Sequence, residues 1–506
     1  MKTKPYLSSI DKSSNRWINS LNDGLKWKLG SAPKNTIFYR FNKRPGVELR
    51  QIWSHEEKDR VKNALDTISA VTALNFKKYH KKATQFEPHI DLYLETNLIT
   101  RGAFGNSISP RQSNKDGTIK FNIDYYKDLN GEIIKPINAG SFLGITFLHE
   151  LSHSLGLKHP HDKGLNGEPR FPGIKVNSNP YKEKGKFSQN AFPFTQMSYT
   201  FEMMNGVERN LNNATAIDHG YLLTPGSLDI AALQWMYGIN KQTNRSDTIY
   251  RLPIKNKRGI GWECIWDTGG IDTISGKESD KLVTIDLRPA TLAMQKNAGG
   301  YLSKMDGING GFLIAKPWDG KDTNQIVENY LIENAIGGFS NDILIGNSAS
   351  NYLSGEDGND TIHGFEGSDT LIGGHGNDTL YGQIDGDALT GGNGQDNFII
   401  TTSSDGKKAK TTVISDFSET QNDAIEILHN NILIKKVKSF INDLDGIGSN
   451  FKHHLIQIEQ DHSITPETIR PEITFNVEEN LTSETLTTTI SIFKEIHEEL
   501  PSEYKV

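Results

Sequence analysis

The chain of 506 residues has little of several features that would define its class. It contains one cysteine, Cys264, which excludes an intrachain disulfide. Its 55 basic and 62 acidic residues give a net charge of −7, and this even mixture gives no reason to expect nucleic acid as a partner. The polar start lacks the apolar core of a Sec-type signal peptide, and no apolar run approaches transmembrane length. The length allows two or three domains.

The most informative stretch is HELSHSLGLKH, which begins at His149 and follows a short apolar run. His149 and His153 are four residues apart, so on a helix they share one face and can bind one metal ion. Glu150 lies beside that face, where it can handle a proton of a metal-bound water. Gly156 permits the left-handed turn that can bring His159 round as a third ligand. Three imidazoles plus water are typical of an open catalytic zinc site.

This string is the zinc signature of metzincins when a Met-turn follows it. A bare His-Glu-x-x-His also arises by chance on polar surface helices. The glycine and third histidine at fixed offsets, after an apolar helical run, favour a metal site over incidental histidines.

Hydrophobic periodicity predicts an α+β lobe around the motif. The predicted elements are a short helix over 17–27, strands over 36–41, 90–94 and 118–124, a helix opened by the capping box at Ser54, and an apolar helix over 228–237. Residues before about 15 are expected to be loosely ordered, and residues 161–192 to form a long surface loop.

A strict nine-residue repeat runs from 337 to 399, with glycine at each first position and an apolar residue at each eighth. The sixth positions are Asp342, Asn351, Asp360, Asp369, Asp378, Asp387 and Asp396. This pattern matches the nonapeptide of a calcium-binding parallel β-helix. Oxygens of the glycine-rich turns face a hard cation, and the apolar residues fill the core. Without calcium the aspartates repel one another, so the segment is expected to be disordered.

These two features, together with the Met-turn Met197-Ser198-Tyr199 and the stretch Asp229–Gly238, resemble the serralysin-type metzincins. These are secreted bacterial zinc metalloproteases with a C-terminal repeats-in-toxin (RTX) β-roll. The resemblance covers roughly residues 15 to 430. It implies an α+β fold, in which a metzincin zinc-protease domain is followed by an all-β parallel β-roll.

The resemblance also implies a division of the chain. The expected parts are a propeptide or disordered N-terminus at 1–15, a catalytic domain at 16–238, a β-rich connector at 239–336, the β-roll at 337–399, and a C-terminal β segment with a type I secretion signal at 400–506. Ile490, Phe493, Ile496 and Leu500 predict an amphipathic helix near the end. The final residues place Lys505 where the family's signal carries an apolar residue.

The resemblance assigns roles to individual residues. One catalytic zinc is expected on His149, His153 and His159, with Tyr199 as an additional ligand at rest and Glu150 as general acid and base. Met197 is expected to form a structural floor, and His161 is interpreted as a loop histidine. Several structural calcium ions are expected on Asp267, Gly269, Gly270, Asp272, Glu333, Asp342, Gly355, Asp357, Asp360, Gly364, Glu366, Asp369, Gly373, His375, Asp378, Asp387, Gly391, Asn393 and Asp396.

The implied function is a secreted, calcium-dependent zinc endopeptidase of broad specificity, in which Glu150 activates a zinc-bound water. Its expected partners are protein or peptide substrates and, during export, a type I secretion apparatus; a monomer outside the cell is expected. The alternative is a catalytically inactive RTX binding protein or adhesin with a degenerate protease lobe. A β-roll lipase is disfavoured because the chain has no Gly-x-Ser-x-Gly nucleophile elbow.

Overall fold

The computed structural model divides the chain into two compact units. It describes residues 7–29, 35–42, 51–79, 88–96, 104–110, 117–200, 216–318, 330–383, 386–402, 412–418, 420–429, 432–437, 472–481 and 484–493. Unit 1 comprises Met1–Ser246, Leu252–Gly270 and Pro289–Leu331, and unit 2 comprises Asp247–Arg251, Ile271–Arg288 and Ile332–Val506. Within the described ranges, no helix combines the length and apolarity needed to cross a membrane.

Unit 1 mixes helices with short strands. Its helices are α1 (Arg16–Leu21), α2 (His55–Val71), α3 (Phe142–Ser154) and α4 (Ser227–Tyr237), with 3-10 turns at Ile123–Tyr125 and Lys186–Ser188. Its strands are β1 (Leu7–Ser9), β2 (Leu25–Trp27), β3 (Thr36–Phe41), β4 (Asn75–Lys78), β5 (His89–Glu95), β6 (Gly105–Ser107), β7 (Thr118–Asn122), β9 (Trp262–Ile265), β12 (Ser303–Met305) and β13 (Gly311–Ile314). These bounds confirm the predicted α+β class.

The main sheet of unit 1 has the order β4-β3-β5-β7-β6. Strands β4, β3, β5 and β7 are parallel, whereas β6 runs antiparallel to β7. Among the described residues, β6 is an edge strand with one side unpaired. An unpaired edge of this kind can accept an extended peptide as an additional strand.

Helix α2 begins at the predicted capping box. The Ser54 side chain accepts from the Glu57 amide, and the Glu57 carboxylate accepts from the Ser54 amide. Val61, Leu65 and Ile68 are fully buried on one helix face, as their spacing predicts.

The expectation of loose order before about residue 15 is wrong for residues 7–15. Strand β1 pairs antiparallel with β2, and Leu7 is 3% exposed. Asn15 caps α1 by accepting from the amides of Trp17 and Ile18. The helix predicted over 17–27 ends at Leu21 because the chain turns through Gly24, at φ +95°, into β2.

Unit 2 consists of strands, most of them parallel. They are β8 (Ile249–Arg251), β10 (Thr273–Ser275), β11 (Val283–Asp286), β14 (Asn334–Ile336), β15 (Ile343–Ile345), β16 (Tyr352–Asp357), β17 (Thr361–His363), β18 (Thr370–His375), β19 (Thr379–Gln383), β20 (Ala388–Asn393), β21 (Asn397–Thr402), β22 (Thr412–Ile414), β23 (Ala424–His429), β24 (Ile432–Val437), β25 (Glu472–Leu481) and β26 (Glu484–Phe493). One sheet has the order β25-β26-β22-β20-β18-β16-β14-β10-β8, and β24-β23-β21-β19-β17-β15-β11 follow one another in a second.

The nonapeptides form the predicted parallel β-roll, in which partner residues on neighbouring strands of one sheet are 18 positions apart, for example Leu353 and Leu371. All seven eighth-position side chains have no exposed surface: Leu344, Leu353, Ile362, Leu371, Leu380, Leu389 and Phe398. The period of nine therefore corresponds to half a coil, with every apolar position directed to the core.

The predicted terminal helix is wrong over its described part. Ile490 and Phe493 lie in strand β26, which pairs with β22 and β25. The threonine-rich stretch at 487–489 favours a strand over a helix. Ile496 and Leu500 fall outside the described residues.

A buried ion pair in unit 1 provides a stability test. Lys127 Nζ lies 2.8 Å from Glu57 Oε2, and both side chains are at most 1% exposed. We expect Lys127→Met to destabilise unit 1 by about 3–5 kcal/mol, because it leaves a buried carboxylate without its cation.

Tryptophan fluorescence during urea unfolding measures this change, since all seven tryptophans lie in unit 1. The control Arg258→Met breaks an exposed pair with Glu56 and is expected to cost at most about 1 kcal/mol. Equal losses in the two variants would contradict a special contribution of the buried pair.

Candidate active site and metal centres

Helix α3 presents two histidines on one face. Ser141 caps its N-terminus by accepting from the Gly144 amide at 2.8 Å, and the apolar residues that follow bury the helix. The ring centroids of His149 and His153 lie 4.7 Å apart. The helix therefore fixes two ligands before the rest of the site is added.

A turn after α3 brings the third histidine to the first two. Gly156 has φ +105°, and a Cβ there would lie 2.6 Å from the Leu25 carbonyl oxygen, so glycine is required for two reasons. His159 Nε2 then lies 3.2 Å from His149 Nε2 and 3.0 Å from His153 Nε2. The structure thus brings the three predicted zinc ligands together.

A buried lysine anchors the segment that carries His159. Lys158 is 3% exposed, and its ammonium donates to the carbonyls of Ser20, Asp162 and Pro169 at 2.5, 2.9 and 3.0 Å. Burial lowers the pKa of Lys158 to about 8. These bonds tie the turn after α3 to α1 and to the following loop.

The outer nitrogen of each ligand histidine has an acceptor. The pairs are His149 Nδ1 with Gln196 O at 2.8 Å, His153 Nδ1 with Leu157 O at 2.7 Å, and His159 Nδ1 with Asp162 Oδ2 at 2.9 Å. An acceptor at Nδ1 favours a proton there and leaves the lone pair on Nε2.

His159 Nε2 lies within 3.2 Å of the other two Nε2 atoms, and lone pairs this close repel unless a cation lies between them. Burial, and next the neighbouring His159, lower the pKa of His149 to about 3, so this ring is neutral at pH 7. Imidazole nitrogens bind zinc at about 2.0–2.1 Å, which suits nitrogens separated by about 3 Å. The residues fit a zinc ion.

A second potential metal-binding group shares one of these ligands. His161 and Asp162 lie close to His159, and the His161 ring stacks on His159 with centroids 5.0 Å apart. The Asp162 carboxylate, however, already contacts His159 Nδ1. This arrangement assigns Asp162 to orienting His159, and His161 to packing beside it.

Glu150 lies beside the histidines in a buried position. It is 6% exposed, and its Oε2 has no hydrogen-bond partner within the described ranges. Burial raises its pKa to about 8. A Cβ at Gly105 of β6 would lie 2.6 Å from Glu150 Cγ, so the absent side chain leaves room for this carboxylate at the sheet edge.

The Met-turn lies next to the histidine cluster. Met197 has no exposed surface. Tyr199 Oη lies 2.7 Å from His159 Nε2, so the predicted tyrosine reaches the histidine cluster. Asp229 accepts from Thr195 Oγ1 at 2.6 Å and from the Gln196 amide at 2.7 Å. Helix α4 thereby holds the turn whose carbonyl orients His149.

The β-roll contains a ladder of sixth-position side chains. The amides of Asp342, Asp360 and Asp378 donate to the carboxylates of Asp360, Asp378 and Asp396 at 2.7, 2.7 and 2.9 Å. On the other side, the Asn351 and Asp369 amides donate to Asp369 and Asp387 at 2.8 and 2.9 Å.

Asp360, Asp378 and Asp396 each keep one buried oxygen for a further ligand. Oδ2 of Asp360, Asp378 and Asp396 has no hydrogen-bond partner within the described part of the chain, and each residue is 1% exposed. Burial raises their pKa values to about 8, 6 and 7. Buried unpaired carboxylate oxygens fit the preference of calcium for hard oxygen ligands.

Other predicted calcium ligands have different surroundings. Both carboxylate oxygens of Asp342 and of Asp387 accept backbone amides. The first-position glycines Gly355, Gly364, Gly373 and Gly391 are buried, and each is adjacent to the sixth-position carboxylate of its own repeat. The third-position side chains are exposed: Asp357, Glu366, His375 and Asn393.

The connector residues belong to both units. In unit 1 the Gly269 amide donates to Asp267 Oδ1 at 3.1 Å, and Gly270 follows with φ +130°. In unit 2 the Asp272 amide donates to Glu333 Oε2 at 2.8 Å, so the structure brings these two acids together.

Sequence reasoning missed Gly105, Asp162, Gln196, Asp229 and Tyr181 as parts of the site. Asp162 lies three residues after His159, and that spacing was a usable signal. Tyr181, whose ring stacks on Tyr199, and Gly105 come from a loop and a distant strand. Only their placement in the fold identifies them.

Comparison with known proteins agrees with this geometry. The family model described as "Peptidase M10 serralysin C terminal" matches residues 319–480. Serralysin from Proteus mirabilis is 28% identical over 340 residues, which is 62% of this chain and 58% of that protein. Serralysin from Photorhabdus luminescens is 33% identical over 219 residues, covering 41% of this chain and 37% of that protein.

A third relative, metalloprotease AprA from Pseudomonas entomophila, is 30% identical over 224 residues, covering 42% of this chain and 39% of that protein. The chain thus spans from about two fifths to 58% of the length of these relatives. These matches confirm the resemblance of this chain to the serralysin-type metzincins with an RTX-like C-terminal region.

Zinc binding can be tested on the histidines one at a time. We expect about one zinc per chain after reloading and dialysis, and we expect His159→Ala to weaken zinc binding by at least about 100-fold. His161→Ala is the matched control, because it removes a stacked ring and leaves all three Nε2 ligands. Mass spectrometry measures the zinc content of both variants. Loss of zinc from His161→Ala as well as from His159→Ala would implicate His161 in binding.

The roll also has a predicted pH dependence. The raised pKa values of Asp360, Asp378 and Asp396 mean that the folded, calcium-free roll favours protonated carboxyls. Its stability is therefore greatest near pH 4 and falls as pH rises through about 8. Amide hydrogen exchange of β16–β21 in chelator, corrected for intrinsic rates, should show protection lost from pH 5 to 8 and restored by calcium.

Asp378→Asn should reduce this pH dependence without abolishing it, because Asp360 and Asp396 remain, whereas the exposed Asp280→Asn should leave it unchanged. A calcium-free roll that gained protection with rising pH would contradict the sign.

Proposed function

We propose that the chain is a secreted, calcium-dependent zinc endopeptidase that hydrolyses peptide bonds in proteins with broad specificity. The observation that carries the proposal is the convergence of three Nε2 atoms beside a buried carboxylate, with those of His149 and His153 3.2 and 3.0 Å from that of His159. The zinc metalloproteases that the chain resembles supply the reaction class.

The zinc would be held by these three histidines, with Tyr199 beside them. When bound, zinc supplies Lewis acidity that polarises a carbonyl and acidifies water. Glu150 acts next to it as the base. Its Oε2 has no protein partner among the described residues and can take the proton of the attacking water.

The surroundings of Glu150 suit the second half of its role, as general acid. A raised pKa makes the carboxyl hold a proton once it has received one, so it can protonate the leaving amine. The Tyr199 hydroxyl, 2.7 Å from His159 Nε2, is placed to donate a hydrogen bond to developing negative charge on the carbonyl oxygen.

Strand β6 provides the substrate platform. Among the described residues its outer edge, at Gly105–Ser107, has no neighbouring strand, and it can pair with an extended peptide through backbone hydrogen bonds. Main-chain pairing reads little of the side-chain sequence, which supports broad specificity. Gly105 leaves the Glu150 carboxylate at the same edge, so a paired peptide lies beside the base.

Calcium dependence is proposed from the roll. Asp360, Asp378 and Asp396 hold buried oxygens that a divalent cation satisfies, so calcium binding and folding of unit 2 are coupled. Extracellular calcium is plentiful, which supports action outside the cell after type I export.

The catalytic proposal is tested by Glu150→Gln, which keeps the shape of the side chain and removes its basicity. We expect casein hydrolysis by the zinc-loaded chain to fall by about 10²–10⁴-fold while zinc content stays unchanged. Glu132→Gln is the control, because Glu132 is exposed in a turn of the same unit.

Mass spectrometry of released peptides measures both rate and specificity. Hydrolysis that survives Glu150→Gln would reject Glu150 as the base. A zinc-loaded parent chain that cleaves no unfolded protein would instead favour the inactive binding protein.

A further inference from the structure

The loop between His159 and the Met-turn carries an aromatic residue to the site. The Tyr181 ring stacks on the Tyr199 ring, with centroids 5.4 Å apart and an interplanar angle of 19°. Tyr181 is 50% exposed, so its other face is open to solvent. Tyr199 in turn has its ring 4.7 Å from the His159 ring and 5.2 Å from the His161 ring. Tyr181 therefore lies on the outer side of the residue that contacts the zinc ligands.

The turn that carries Tyr181 has internal hydrogen bonds. Asn179 Oδ1 accepts from the Tyr181 amide at 2.9 Å. The Asn179 carbonyl accepts from the amides of Lys182 and Glu183 at 3.0 and 3.2 Å. An asparagine that caps a turn in this way restricts its backbone and fixes the direction of the tyrosine.

The same turn is also tied to the residues around Tyr199. The Glu183 carbonyl accepts from Asn190 Nδ2 at 2.5 Å and from Thr200 Oγ1 at 3.3 Å. The Asn190 carbonyl accepts from Ser198 Oγ at 3.0 Å. Ser198 and Thr200 flank Tyr199 in the chain. These bonds hold the two tyrosines in one local framework.

Stacked aromatic rings attract each other by about 0.5–1.5 kcal/mol beyond the burial of their area, which corresponds to about a twofold to tenfold equilibrium effect. A phenol ring held on one face has fewer rotamers available than a free one. In this structure Tyr199 Oη points at His159 Nε2, and Tyr181 covers the ring that must move for the hydroxyl to leave.

We propose that Tyr181 is a positioning residue that holds the phenol of Tyr199 over the zinc-ligand histidines. The proposal rests on the proposed zinc site. Tyr181 acts through Tyr199 and contacts none of the three ligand histidines in the described contacts. The proportion of chains with Tyr199 at the metal site therefore depends on the stacked ring and not on the Tyr181 hydroxyl.

The test uses the full chain loaded with Cu²⁺, because a phenolate bound to copper gives a visible charge-transfer absorption. We expect this band in the parent and its loss in Tyr199→Phe. Azide titration then measures how firmly Tyr199 is held. The azide concentration that removes half of the band should fall about twofold to tenfold in Tyr181→Ala. Tyr181→Phe should match the parent, because the ring remains.

Tyr181→Leu keeps apolar bulk without a ring and should behave like Tyr181→Ala. It also serves if the alanine variant folds poorly, and tryptophan fluorescence reports the folding of unit 1 in each case. An unchanged azide midpoint in both variants overturns the proposal. Equal shifts in Tyr181→Phe and Tyr181→Ala overturn it as well, because they would assign the effect to the hydroxyl.

A parent chain without a tyrosine-dependent band also overturns the proposal, since Tyr199 would then not reach the metal. Casein hydrolysis by the zinc-loaded parent is measured in parallel. Hydrolysis with an unchanged azide midpoint rejects only the role of Tyr181. No hydrolysis with a shifted midpoint rejects the endopeptidase and leaves the positioning role standing.

Discussion

The mutual closeness of three neutral imidazole nitrogens is the constraint on which the rest of the site depends. The approach of His159 Nε2 to within 3.2 Å of the other two Nε2 atoms is unfavourable by itself, so the Nδ1 atoms of the three rings must be held from outside. Helix α3 supplies two rings, but the third needs the turn at Gly156 and the anchor at Lys158. The Met-turn supplies the carbonyl of Gln196 for His149. The end of α3, the turn at Gly156 and the Met-turn therefore all hold the three imidazoles in one arrangement.

The β-roll follows the same physical rule with oxygens in place of nitrogens. In the ladder, each backbone amide occupies one carboxylate oxygen of the next coil, as between Asp360 and Asp378. The second oxygen of Asp360, Asp378 and Asp396 stays buried without a protein partner in the described part of the chain. In both units the protein uses its own hydrogen bonds to orient a nitrogen or an oxygen, and it leaves a lone pair that is available to a cation.

Features that depend on residues close together in the sequence could be predicted from it, and features that depend on distant residues could not. Helices α2 and α3, the turn at Gly156 and the buried eighth positions follow from local spacing, and the structure confirms them. The helix predicted over 17–27 continued past the end of α1, and a helix was predicted where β26 lies. Both predictions were wrong, because pairing with neighbouring strands overrides the helical pattern. Gly105 and Tyr181 reach the site through tertiary packing, which no local pattern encodes.

The sixth position of the repeat is not the same in every turn of the roll, and the difference changes which polar atoms find partners within the protein. Asn351 takes the place of an aspartate. Its side-chain Nδ2 donates to the Glu333 carbonyl at 2.9 Å, and its Oδ1 accepts from the backbone amide of Asn347. An amide carries its own donor, so this turn satisfies its polar atoms within the protein. Asp360 and Asp378 lack such a donor. The calcium dependence that we propose therefore rests on carboxylates such as Asp360 and Asp378, whose buried oxygens have no hydrogen-bond partner among the described residues.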